Sequence, residues 1–99
     1  MRAGRFSLHR AAEAEFLAGV DRIPFDDREA AKRLIEAIDE GLALLVRFPA
    51  LGGQIDNRHR GFVLARVPYT IVYRPTAHGI RVIAIAHVSR EPGYWRERR

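Results

Sequence analysis

The sequence has 99 residues, no cysteine, and 17 basic against 12 acidic side chains, a formal charge of +5. That length makes one domain, residues 1–99, able to bury somewhat over ~60% of its unfolded surface without a metal or a disulfide. Missing cysteines exclude a disulfide framework and thiolate metal sites, and no apolar run approaches the ~18 residues of a transmembrane helix.

The N-terminal "MRAGRFSLHRAAEAE" lacks the apolar stretch of a signal peptide, so the expected location is the cytoplasm. Every basic residue except Lys32 is arginine. Arginine forks match phosphate oxygens and stack on bases; a GC-rich genome produces the same bias without a functional cause.

Residues 5–9, "RFSLH", alternate apolar and polar and predict a short strand. Ala12, Phe16, Val20 and Ile23 then recur at helical spacing, and Pro24 closes that helix. The next stretch predicts a helix of roughly 20 residues, ~30 Å long. Its apolar stripe runs through Ala31, Leu34, Ile35, Ile38, Leu42, Leu45 and Val46, with Pro49 as the stop. Asp26 is the expected cap, with Glu29 completing a capping-box variant. Gly41 costs that helix about 1 kcal/mol against alanine. A short connection makes the two helices an antiparallel hairpin.

Residues 50–61, "ALGGQIDNRHRG", read as loop. Three strand-like runs follow at 62–67, 69–74 and 80–87, the last two joined by the five-residue loop "PTAHG". The order is β-α-α-β-β-β, an α+β fold with a helical hairpin on one face of a small, largely antiparallel sheet. The other face is left free to be polar.

No phosphate-binding glycine loop is present. His9, His59, His78 and His87 lack metal-ligand spacing, so neither metal nor cofactor is expected. The polar side chains of the strand region are basic: Arg60, Arg66, Arg74, Arg81, His87 and Arg90. Strict alternation groups Arg66 with Phe62 and Leu64, and His87 with Arg81, Ile83 and Ile85. Both a charged, protected sheet edge and a phosphate site fit that pattern.

Beyond the last strand, Trp95 is expected to pack down as a lid, with the Tyr94 hydroxyl toward the basic surface. Cutting RNA through its own 2′-hydroxyl needs a base, an acid and cations for the phosphate. His87, Arg90, Tyr94 and Arg66 are the right residue types.

Two segments, "VPYTIVYR" and "IRVIAIAHVSREPGYWRER", carry Pro68-Tyr69, Ile71, Tyr73, Ala86-His87, Arg90, Pro92, Tyr94 and Trp95 in a specific order. In them, and in "FSLHRAAEAEFLAGV" and "FPALGGQI", the chain resembles the RelE/ParE superfamily of type II toxin–antitoxin toxins, often labelled plasmid stabilisation proteins. The resemblance implies the same fold, a cognate antitoxin bound in a hetero-oligomer, and one of two activities. The first, and the leading expectation, is growth arrest by metal-independent, ribosome-dependent mRNA cleavage that inhibits translation. Its endoribonuclease site would hold His87, Arg90, Tyr94 and Arg66, with Arg58, Arg60, Arg74 and Arg81 binding nucleic acid. The second is non-enzymatic inhibition of DNA gyrase. Many relatives have two adjacent arginines where this chain has Ser89-Arg90, which weakens the nuclease case and opens a third reading, a decayed toxin that only binds its antitoxin.

Overall fold

The computed structural model describes residues 5–99; the basic start of the chain, residues 1–4, lies outside them. Strand β1 (Arg5–Leu8) leads into helix α1 (Arg10–Asp21), and helix α2 (Arg28–Arg47) follows. The remaining strands are β2 (Gly53–Gln54), β3 (Arg60–Val63), β4 (Tyr69–Thr76) and β5 (Gly79–His87). They form one sheet in the order β1-β5-β4-β3-β2. All neighbours are antiparallel except β1, which lies parallel to β5 with Arg5 opposite Gly79 and Leu8 opposite Val82.

The expected α+β order holds, and local chemistry explains where its details differ. Asp27 rather than Asp26 caps α2, accepting from the Ala30 amide at 3.1 Å. The third helical position is therefore Ala30, and Glu29 closes no capping box. His9, expected on the strand's polar face, instead caps α1 by accepting the Ala11 amide on Nδ1 at 3.0 Å. Burial and the charges of Arg81, Arg98 and Arg10 hold its pKa below the ordinary histidine value. Residues Pro75–Thr76 and Gly79 extend the last hairpin, so the five-residue loop contracts to a turn at Ala77–His78.

Core formation follows the α2 stripe. Leu34, Ile38, Leu42 and Leu45 pack on Tyr69, Ile71, Tyr73, Ile80, Val82 and Ile85, with Ala12 and part of Phe16 from α1. The opposite face is not left open as expected. There the tail lays the buried Trp95 across Val72, Ile83 and Ala84, and His59 packs against it with ring centroids 4.7 Å apart and planes tilted by 58°. Trp95 is the lid that its apolar bulk predicts.

One irregularity decides which side chains reach the helices. Val72 pairs with Ala84 but Tyr73 pairs with Val82, so Ile83 is an extra residue in β5. The bulge turns both Ile83 and Ala84 toward Trp95 and shifts the alternation by one. Arg81 and His87, which strict parity places together, therefore lie on opposite faces. Arg81 points to the tail side and reaches Arg99 and Ser7, whereas His87 lies against Tyr69 on the helical side.

Candidate functional site

The end of β5 creates a local problem in backbone pairing. β1 stops at Leu8 opposite Val82, so beyond it this edge of β5 has no neighbouring strand and its polar groups need other partners. Glu15 on α1 and Arg98 in the tail supply them. Glu15 Oε1 accepts from the Ile85 amide at 3.0 Å, and Arg98 Nη1 donates to the Ile83 carbonyl at 3.2 Å.

Glu15 is the centre of the arrangement. Arg98 donates to both its carboxylate oxygens at 3.0 Å, a bidentate fork. The Tyr94 hydroxyl donates to Oε2 at 2.7 Å, and Arg90 Nη1 stands 3.9 Å from the same oxygen. Only 14% of the Glu15 side chain is exposed, against 51% of Arg90. The Arg90 guanidinium also lies 3.8 Å from the centre of the Tyr94 ring, within reach of a cation–π attraction. Burial, followed by the bond to Glu15, pushes the Tyr94 hydroxyl pKa up to about 12.

A groove of about 520 Å³ opens beside this cluster. Ala14, Ala18 and Ile85 give it an apolar floor, and Arg22, His87, Ser89 and Arg90 add polar side chains beside Glu15, Tyr69 and Tyr94. The His87 Nδ1 receives the Ser89 amide at 3.1 Å and lies 2.8 Å from the Ser89 hydroxyl. An amide can only donate, so Nδ1 is the acceptor and the neutral ring carries its proton on Nε2. The ring meets Tyr69 edge-on at 5.1 Å.

Three of the four residues proposed for catalysis, His87, Arg90 and Tyr94, thus line one groove. Arg66 does not join them. β3 ends at Val63, so Arg66 sits on the following turn and pairs with Glu40 of α2 at 3.2 Å. Of the proposed nucleic-acid contacts, Arg60 spends its guanidinium on the loop after α2, donating to the Ala50 and Gly52 carbonyls at 3.2 and 2.7 Å. Tyr73 secures that loop from below, donating to the Pro49 carbonyl and accepting the Gly52 amide. Arg74 and Arg81 lie on the tail face, and Arg58 is exposed on the loop before β3.

Glu15 carried no sequence signal, because it reads as one more acidic residue on the polar side of an amphipathic helix. Asp56 falls in the stretch that reads only as loop, yet its carboxylate accepts the Arg58 and His59 amides at 2.8 Å and the His59 ring at 2.9 Å. Those bonds, the Arg58 amide foremost, hold it well below the usual carboxylate range. Among the described residues no three His, Cys, Asp or Glu side chains gather to hold a metal ion, and no helix is long and apolar enough to cross a membrane.

The family model described as "ParE toxin of type II toxin-antitoxin system, parDE" matches residues 6–92. No curated protein matches the chain. Among solved structures it is similar to one titled "Chromosomal ParDE TA system from P. aeruginosa", at 20% identity and a TM-score of 0.71. That alignment covers 86% of this chain and 96% of the other and establishes the shared fold.

Proposed function

The chain belongs to the ParE toxin family of type II toxin–antitoxin systems, and from that membership we propose that it arrests growth by binding DNA gyrase rather than by cutting RNA. One observation carries the choice: neither proton-handling side chain offers a basic atom to the groove. The Tyr94 hydroxyl is committed to Glu15 with its pKa pushed up to about 12, and the acceptor nitrogen of His87 is taken by Ser89. A general base must reach the proton it removes with a free lone pair. The phosphate-holding charge is reduced as well, since Glu15 offsets Arg98 and part of Arg90 while Arg66 is engaged with Glu40. A partner antitoxin, seated on the toxin until released, completes the system.

The test pairs two assays on the purified chain. A gyrase supercoiling reaction should lose product as the toxin is added, while primer extension on a translated reporter mRNA shows no new breaks. Ribosome-dependent breaks that disappear in His87→Ala would overturn the proposal in favour of an mRNA interferase. The half-exposed Arg90 beside His87 is the feature that favours that second reading.

A further inference from the structure

The groove between α1 and the end of β5 is walled by hydrogen-bond donors that the chain itself leaves open. Arg22, just past the end of α1, is exposed. Among the described residues its guanidinium makes one hydrogen bond, from Nη2 to the Tyr69 hydroxyl at a long 3.4 Å. Arg90 has no acceptor within hydrogen-bond reach, since Glu15 Oε2 stands 3.9 Å away. That carboxylate is already filled by the Arg98 fork, the Tyr94 hydroxyl and the Ile85 amide. One negative charge set between Arg98 and Arg90 leaves one positive charge over, and Arg22 adds another. With Nδ1 of His87 accepting, its Nε2–H is a further donor without a partner among the described residues. Ala14 and Ala18 lie one turn apart on the same face of α1, and their small side chains keep the floor of the groove low.

We infer that this groove seats a carboxylate side chain of the toxin's protein target, an Asp or Glu with an apolar neighbour. The target is gyrase on the reading above, and the inference rests on that reading for the partner's identity alone. Guanidinium forks and an imidazole N–H suit the two oxygens of a carboxylate. The apolar floor beside them suits a branched aliphatic side chain. Protein interfaces concentrate their affinity in such places, an apolar anchor in a pocket ringed by arginine and tyrosine. Single-stranded nucleic acid fits less well, because its bases are held on open aromatic faces. Tyr69 is buried, and the Arg90 and Arg98 guanidiniums lie 3.8 and 5.0 Å from the centre of the Tyr94 ring. A duplex backbone offers phosphates but nothing to fill an apolar floor.

The probe is isocaproate, a carboxylate on a leucine-like tail, titrated into the isotope-labelled full chain. NMR follows the Ala14 and Ala18 methyls and the His87 ring, and the same spectra show whether each variant is folded. Saturable shifts are expected, with isocaproamide weaker by about tenfold or more, since the charge-assisted bonds are lost. Arg22→Gln should weaken isocaproate by a similar factor and Arg22→Lys by less. Ala18→Leu should abolish the shifts by filling the floor. Arg28→Gln with Arg33→Gln, exposed on α2 and outside the groove, removes more charge and should leave the titration unchanged. Equal binding of acid and amide, or an equal loss in the α2 pair, would overturn the inference. Tighter binding of inorganic phosphate than of isocaproate would overturn it in favour of a phosphate site. In the supercoiling assay, Arg22→Gln and Ala18→Leu should each raise the toxin concentration for half inhibition about tenfold or more. Undiminished inhibition by both variants would overturn the groove as the contact. Isocaproate binding with gyrase untouched by the unmodified chain would support the carboxylate seat and defeat only the gyrase reading.

Discussion

The Tyr94 hydroxyl donates to Glu15 Oε2 at 2.7 Å and so joins two residues 79 positions apart. The same carboxylate holds the Ile85 amide and the Arg98 fork, which makes one side chain on α1 the fastening for both the sheet edge and the tail. Truncation to Glu15→Ala strands an amide, a hydroxyl and a guanidinium together. A loss of about 3 kcal/mol is expected, the usual cost of breaking a buried charged network from one side. Glu15→Gln retains an acceptor for the amide and should lose less. Denaturant midpoints of the two variants check the order; a loss in Glu15→Ala no larger than in Glu15→Gln would contradict it.

The raised Tyr94 pKa has a pH signature at the alkaline end. The folded state holds this proton more tightly than the unfolded chain, whose tyrosine titrates near 10. The contribution is therefore complete below pH 10 and lost as pH rises toward 12. Stability of the unmodified chain should fall over that window by more than that of Tyr94→Phe, all other groups being common to both. Parallel curves would show that the hydroxyl is not held by Glu15 in solution.

Trp95 is the sole tryptophan and is 4% exposed. Its replacement by alanine removes the lid over Val72, Ile83 and Ala84 and should cost about 3–5 kcal/mol. Its emission also reports on the tail alone: a blue-shifted spectrum is expected in the native protein, moving red in the same transition that unfolds the sheet. An exposed, red-shifted tryptophan under native conditions would contradict the packing.

Gly79 lies directly opposite Arg5, and a Cβ there would come within 1.7 Å of the Arg5 carbonyl oxygen. Backbone cannot yield as a flexible side chain does. Gly79→Ala should thus separate β1 from β5 and destabilise the protein by roughly 2 kcal/mol or more, with loss of hydrogen-exchange protection concentrated at Phe6–Leu8 and Ile80–Val82. Unchanged protection there would mean that β1 is docked differently.

The fold is legible in the sequence because its signals are local. The α2 stripe from Leu34 to Leu45, the alternation of Tyr69, Ile71 and Tyr73, and the apolar bulk of Trp95 each predict the burial found. The facing of side chains is not legible where one residue changes the phase. The extra Ile83 puts Arg81 and His87 on different faces, and nothing in "IRVIAIAH" marks a bulge. Nor is a side chain's role legible where its partner is remote in the chain. Glu15 and Asp56 acquire their roles from amides and side chains that only the fold brings near, and Arg66 is drawn to Glu40 on a helix rather than to His87.

The parallel pairing of β1 with β5 also sets an order of events in time. Residues 5–8 emerge from the ribosome long before residues 79–82, the strand with which they pair among the described residues. Until β5 emerges, the helical hairpin has half a sheet to cover, and closing a loop of that span is slow compared with forming either helix. The groove at His87 joins early and late segments in the same way, Ala14, Glu15 and Ala18 of α1 facing His87, Ser89 and Arg90. A nascent chain arrested before residue 87 therefore lacks this groove.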